Sequence, residues 1–233
     1  MRMIFTDEQK RILKHTDHTL LAVDATTEAI REACFEGVDF KTASICIPPL
    51  YVAQAVRDTD GRGKICTVIG FPNGYMTTDS KVHETKSAVS QGAHEIDMVI
   101  SIGLLKQGDT DAVKKDISAV RAACKDRILK VIIETCLLTE EEKISMCKVV
   151  GDAGADFIKT STGFSTGGAT LEDVELFKAH LAPGIKIKAA GGISTLEDAK
   201  AFLDAGADRI GSSRIVRLVR RQLMDAQAVT VEV

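Results

Sequence analysis

Short runs of β-branched and apolar residues alternate along this chain with longer stretches whose apolar positions recur at three- and four-residue spacing. The runs predict eight strands, at 15–18, 40–47, 64–70, 95–100, 128–134, 155–161, 185–190 and 207–211. Helical period occupies 26–36, 48–58, 78–91, 110–124, 139–153, 170–181, 194–205 and 213–225. Several of these stretches open on capping residues: Thr139 ahead of three glutamates, Thr170 ahead of Glu172 and Asp173, and Ser194 ahead of Glu197 in capping-box spacing. The fragments EGVDF, QGAHEID, DAGADFI and DAGADRI recur where a helix runs into a strand. Each offers a glycine for a left-handed helix end and an acidic residue at the strand entry.

Eight units of this kind predict an α/β protein, a closed (β/α)8 TIM barrel. A doubly wound open sheet shares the alternation, but the regular count and the lack of Gly-x-Gly-x-x-Gly after the first strand favour closure. The whole chain, 1–233, reads as a single barrel domain with a short N-terminal helical extension. Chemistry in such a barrel belongs at the C-terminal strand ends and the loops that follow them.

Composition narrows the function. With 45% apolar and 27% charged residues and no long single-sign run, the chain buries enough surface to fold. A net charge of −3, no Trp and only two Tyr argue against a nucleic-acid partner. The start MRMIFTDEQKR turns polar after five residues and no apolar run reaches membrane-spanning length, so a cytoplasmic protein without a membrane partner is expected. Six cysteines without a C-x-x-C pair read mostly as reduced core thiols, and His15, His18, His83 and His94 have no ligand spacing. Neither a metal nor a cofactor is expected.

Charges inside otherwise apolar strands stand out, because a buried charge loses its hydration. Glu95, Asp97 and Val99 share one face of their run, Lys130, Ile132 and Glu134 one face of the next, and Lys186 and Lys188 one face of the seventh; Lys159 lies near the end of the sixth. Pointing inward together, Lys130, Lys159, Lys188 and Asp97 converge on one barrel mouth. Crowded cations in a cavity of low dielectric favour the neutral form of the lysine worst placed to stay charged. A neutral amine attacks a carbonyl and gives a protonated Schiff base, an electron sink for cleaving or forming an adjacent carbon–carbon bond.

Gly163, Gly167 and Gly168 follow the sixth strand, Gly191 and Gly192 the seventh, and Gly211-Ser212-Ser213 the eighth. Turns of this composition before helix starts present backbone N–H groups to an anion, which implies a phosphorylated substrate. Arg214, Arg217, Arg220 and Arg221 read as the solvated face of the last helix, only its first turn being able to face the mouth, and are left out of the site. Cys46 in ICIPP reads as a packed thiol. Asp17 and His18 fit either substrate contacts or a loop brace.

Together FIKTSTGFSTGGAT (157–170), KAAGGIS (188–194), EIDMVIS (95–101), KVIIETCLL (130–138), TDHTLL (16–21) and ICIPP (45–49) resemble the deoxyribose-phosphate aldolases, a class I aldolase family, over about residues 16–213. The resemblance implies reversible cleavage of 2-deoxy-D-ribose 5-phosphate to D-glyceraldehyde 3-phosphate and acetaldehyde without a metal. It makes Lys159 the Schiff-base lysine, Lys188 the second lysine that keeps it neutral, and Asp97 the partner of Lys188 in relaying protons through water. By the same pattern Lys130 stabilises the early carbinolamine, Asp17 and Cys46 line the mouth, and Thr160 contacts substrate. Gly163, Gly191, Gly192, Gly211 and Ser213 fall where the family holds the phosphate. A homo-oligomer, dimer or tetramer, is expected.

Three departures qualify the match. Ser101 stands where many members have Asn, which bears on a hydrogen bond below Asp97. Phe164 stands where some members have a phosphate-contacting Lys, which puts more weight on backbone donors. The tail AQAVTVEV lacks the C-terminal Tyr that some members use in proton transfer. Taken on residues alone, a transaldolase-like or isomerase barrel enzyme and a non-catalytic sugar-phosphate binding protein remain alternatives.

Overall fold

A computed structural model describes residues 5–231, with side chains through residue 225. The strands are β1 (Thr16–Thr19), β2 (Ser44–Ile47), β3 (Ile65–Ile69), β4 (Glu95–Val99), β5 (Ile128–Ile132), β6 (Phe157–Lys159), β7 (Lys186–Ala190) and β8 (Arg209–Ser212). They pair in parallel in sequence order, and β8 returns to β1, closing the (β/α)8 barrel. The helices are α1 (Asp7–Lys14), α2 (Thr27–Asp39), α3 (Val52–Thr59), α4 (Thr78–Ser90), α5 (Ile102–Lys106), α6 (Thr110–Cys124), α7 (Glu140–Asp152), α8 (Leu171–His180), α9 (Leu196–Ala205) and α10 (Ile215–Val231).

Every predicted strand and helix has a counterpart, and the differences are local. The run 40–47 begins as a strand only at Ser44, because α2 continues through Asp39. Gly37, expected to end that helix, lies inside it; Lys41 takes the left-handed conformation instead, at φ 53°. Gly37 answers to packing, since a Cβ there would sit 2.3 Å from Ile45 Cγ1. Thr139 and Thr170 cap α7 and α8 as predicted. The cap of α9 is shifted by one residue: Thr195 pairs with Asp198, whose carboxylate accepts the N–H groups of Ser194 and Thr195. The segment 48–58 opens with a 3-10 turn at Pro49–Tyr51, where two prolines precede α3. The five-residue α5 is too short to leave a periodic signal.

The side-chain alternation of the strands divides the interior in two. Ile96, Met98, Leu129, Val131, Ile158 and Ile187 point outward and, with Val120, Val150, Phe177 and Val216 from the helices, form the main apolar core. Inside the barrel, the apolar cluster is only Cys46, Cys66 and Val68 among the described residues. Charged side chains share the remainder with Val99, Ile132 and Phe157. The helix α1 packs on α9 and α10, tied by Arg11 to Asp204 at 2.7 Å and by Gln9 to Gln222 at 2.8 Å.

Candidate active site

Asp97 is the centre of the charged interior. Its Oδ2 accepts from Lys159 Nζ at 2.8 Å and Lys188 Nζ at 2.7 Å, and its Oδ1 accepts from Lys130 Nζ at 2.9 Å. Register explains the convergence: Asp97 is the Cα partner of Lys130, and Lys159 that of Lys188, so neighbouring strands deliver these groups at adjacent levels. Lys188 also contacts Asp17 Oδ2 at 2.5 Å, and Lys130 contacts Glu95 Oε2 at 2.6 Å. Arg209 from β8 bridges Asp17 and Glu95. Below them lies the ring of Phe157, with the cations of Lys130, Lys186 and Arg209 each within 6.0 Å of its centre.

Burial opposes the charges of Asp97, Asp17, Lys188 and Lys130, and opposite charges override it. Asp97 loses hydration, yet the ammonium groups of Lys130, Lys159 and Lys188 hold it well below the ordinary carboxylate range. Asp17 is likewise held low, against burial, by Lys188, Lys130 and Arg209. Burial pulls Lys188 down, but Asp17 and Asp97 lift it above the ordinary ammonium range. Lys130 is raised well above its ordinary value in the same way, chiefly by Asp97. The sequence alone suggested that crowded cations would repel one another. In the fold a carboxylate stands between each pair, and Lys188 is a firmly charged ammonium.

Above the charged cluster, at the C-terminal end of the barrel, opens a cavity of about 680 Å³. Lys159 lines it, together with Gly163, Gly191, Gly192, Gly211 and Ser213, so the predicted Schiff-base lysine and the predicted anion turns share one space. Gly191 and Gly192 both have positive φ, 85° and 81°. A Cβ on Gly168 would meet the Gly191 carbonyl oxygen at 2.4 Å, so the loop after β6 can seat against the turn after β7 only with glycine there.

The same loop is held from below by Glu134, which the sequence set on the inward face with Lys130. The backbone turns left-handed at Glu134, φ 56°, one residue beyond Ile133 and outside β5. Its buried carboxylate accepts from the N–H of Thr162 at 3.2 Å and from the Thr162 hydroxyl at 2.5 Å; that hydroxyl in turn accepts from Phe164 N–H at 3.0 Å. No periodicity could announce this role, since it depends on a loop 28 residues away.

Other expectations need correction. Lys130, Asp17 and Cys46 are fully buried and are not among the side chains that line the cavity. Thr160 is also buried, its hydroxyl exchanging hydrogen bonds with the backbone of Ala190, which ties β6 to β7. Lys186, first in β7, is exposed at the opposite end of the barrel from Lys159. His18 pairs with Glu36 at 2.8 Å, which is a brace. Arg214 and Arg217, left out on the sequence, line the cavity. Arg209 and Cys66 join the charged interior without having been singled out, the inward phase of their strands being the available signal, and Glu95, already placed on one face with Asp97, pairs there with Lys130 and Arg209.

Cys46 Sγ, Cys66 Sγ and an Asp97 oxygen lie within 4.8 Å of one another, a spacing that suits a metal. The surroundings do not. Asp97 already carries three ammonium partners, and Lys130 Nζ is 3.4 Å from Cys66 Sγ, so a divalent cation would meet uncompensated positive charge.

The family pattern of the DeoC/LacD aldolases matches residues 9–214. The chain belongs to that family. This aldolase is 55% identical over 209 residues to a deoxyribose-phosphate aldolase of Clostridium botulinum (strain Eklund 17B / Type B), a match covering 90% of this chain and 95% of the relative. A deoxyribose-phosphate aldolase of Streptococcus agalactiae serotype Ia is 55% identical over 218 residues, 94% of this chain and 98% of the relative. Among solved structures, the tetrameric deoxyribose phosphate aldolase from Aeropyrum pernix superposes with a TM-score of 0.84 at 30% identity, covering 91% of each chain.

The departures noted in this aldolase fall at distinct places. Ser101 precedes α5 and makes no side-chain cap there. Phe164 is half exposed on the cavity rim, its ring edge-on to Phe71 with centres 5.3 Å apart. The tail AQAVTVEV lies outside the residues whose side chains are described.

Proposed function

We propose that this enzyme cleaves 2-deoxy-D-ribose 5-phosphate reversibly to D-glyceraldehyde 3-phosphate and acetaldehyde, with Lys159 as the Schiff-base nucleophile. One observation carries the assignment: of the buried lysines on Asp97, Lys159 alone opens onto the cavity, and its single carboxylate partner among the described residues is Asp97. Four cations, Lys130, Lys159, Lys188 and Arg209, share three carboxylates, Asp17, Glu95 and Asp97. Charge balance is reached when one amine is neutral, and the amine with the fewest partners costs least to discharge.

In this reading the amine adds to the C1 aldehyde of the open-chain sugar and water leaves, giving a protonated imine. Loss of the C3 hydroxyl proton breaks the C2–C3 bond, whose electron pair passes into the imine and releases D-glyceraldehyde 3-phosphate. The enamine left behind takes a proton at C2, and hydrolysis frees acetaldehyde. Asp97 Oδ2, bonded to Lys159 and Lys188 at once, is the route by which a proton passes between the two amines. Lys188, paired with Asp17, is thus the charged partner that lets Lys159 be neutral, and Lys130 keeps Asp97 ionised. The turns at Gly163, Gly191, Gly192, Gly211 and Ser213 hold the phosphate.

Borohydride added with substrate should reduce the imine to a stable adduct, which mass spectrometry places on Lys159; an adduct on Lys188 overturns the roles. The enzyme acts as one domain and as a homo-oligomer, a reading supported by the tetrameric Aeropyrum pernix relative and tested by light scattering. A cytoplasmic setting fits its six free cysteines, and no helix of the described residues is long and apolar enough to cross a membrane.

A further inference from the structure

The four arginines at the start of the last helix are not equivalent. Arg220 reaches Glu36 at 3.0 Å and lies over the ring of Phe40, and Arg221 approaches Asp225 at 4.0 Å. Arg214 and Arg217 have no carboxylate within 4.0 Å among the described residues, and they are the two that line the cavity. Arg214 lies just ahead of α10 and Arg217 in its first turn. The backbone of Arg214 is fixed: its N–H donates to Ser212 Oγ at 3.1 Å, and the Ser212 hydroxyl donates to the Ile193 carbonyl at 2.9 Å. That chain ties the root of Arg214 to the turns after β7 and β8, where the anion donors are.

Charge makes the case. Among the described residues no carboxylate lines this cavity, and the cationic side chains that do are Lys159, Arg214 and Arg217. Backbone N–H groups orient a phosphate but carry no net charge, whereas a phosphomonoester brings nearly two negative charges, about −1.5 to −2 near neutral pH. Lys159 is committed to the carbonyl end of the sugar. A guanidinium fork suits phosphate oxygens and remains charged at any working pH.

We infer that Arg214 and Arg217 bind the phosphate of the substrate through their side chains and set the preference of this enzyme for phosphorylated over neutral sugars. The inference deepens the aldolase reading and rests on it. Its test is the ratio of kcat/KM for 2-deoxyribose 5-phosphate to that for unphosphorylated 2-deoxyribose, measured on the unmodified protein and on the R214A/R217A variant, with inorganic phosphate as a competitive inhibitor of both. Removing the two guanidiniums should lower the ratio about tenfold or more and weaken phosphate inhibition in parallel, most of the change lying in KM. A ratio and an inhibition constant that stay at the unmodified values overturn the inference and leave the phosphate to the backbone turns. Failure of the unmodified protein to give a borohydride adduct with either sugar overturns the aldolase reading itself, which separates the two.

Discussion

The two sides of this barrel wall are built from alternate residues of the same strands and obey opposite rules. Outside, Ile96, Leu129, Ile158 and Ile187 meet the helices in an apolar layer; inside, one residue along, Asp97, Lys130, Lys159 and Lys188 meet one another. Cysteine shows the contrast within a single residue type. In the outer layer burial pushes the Cys34 and Cys124 thiols up to about 12 and Cys147 to about 11, leaving inert packing groups. Inside, the thiols are driven apart: a hydrogen bond from Cys66 draws Cys46 down in spite of burial, with Lys188 and Lys159 adding to the effect, while burial, Cys46 and Asp97 push Cys66 well up. Apolar burial outside supplies stability without regard to direction, whereas inside each charge is tolerable only because specific partners face it. Small barrels commonly fill their interior with branched apolar side chains; here that volume is given to a charged cluster that holds one amine under a cavity.

The contrast can be broken most sharply at Lys159. Lys159→Met should abolish borohydride trapping and lower turnover on the order of ten-thousand-fold, while urea denaturation shows a smaller change than for deeper lysines, because only one carboxylate loses a partner. Retained trapping would show that the reactive amine lies elsewhere. Lys130→Met leaves Glu95 and Asp97 short of a buried counter-charge, and unfolding by urea should show a loss of about 3–5 kcal/mol together with loss of activity. On the outer face, Phe177→Ala should cost a similar amount, about 3–5 kcal/mol, yet the folded variant should still trap substrate on its lysine. Equal damage to turnover from both would mean that the two regions are not separable.

Stability against pH gives a gentler test. Asp17 and Asp97 titrate lower in the folded chain than in the unfolded one, so their contribution is present above the ordinary carboxylate value of 3.8 and fades as pH falls through their depressed values. Lys130 and Lys188 titrate higher when folded, so theirs is present below 10.5 and fades as pH rises through the elevated values. Thermal unfolding should therefore show no slope from these groups between those limits, and losses outside them. A midpoint that varied near neutrality because Asp17, Asp97, Lys130 or Lys188 titrated there would contradict the pairing described. The smallest change belongs to the rim: Glu134→Gln should cost about 1–3 kcal/mol and raise KM for the phosphorylated sugar more than it lowers kcat, by loosening the loop at Thr162.

Periodicity alone was enough for the count and order of the elements, because a parallel strand buried on both faces must be a short apolar run and each crossover helix must carry an apolar stripe. It also singled out Asp97, Lys130, Lys159 and Lys188, since charges in such runs are conspicuous. What periodicity missed are contacts set by loops and by depth. Glu134 leaves its strand in a left-handed turn, Thr160 serves the neighbouring strand, and Cys46 and Asp17 are buried away from the cavity lining.

The order of residues by itself determined that this chain forms eight strand-and-helix units, which strand positions carry charge, and where glycines interrupt. Only the closed barrel decided which charges touch. Register and the level of each residue along the barrel axis placed Asp97 between its lysines, turned expected repulsion into pairing, and brought two of four similar arginines to the cavity. The physical reason is range: periodicity is a property of near neighbours in the chain, whereas the strength of an ion pair depends on distances between strands far apart in it.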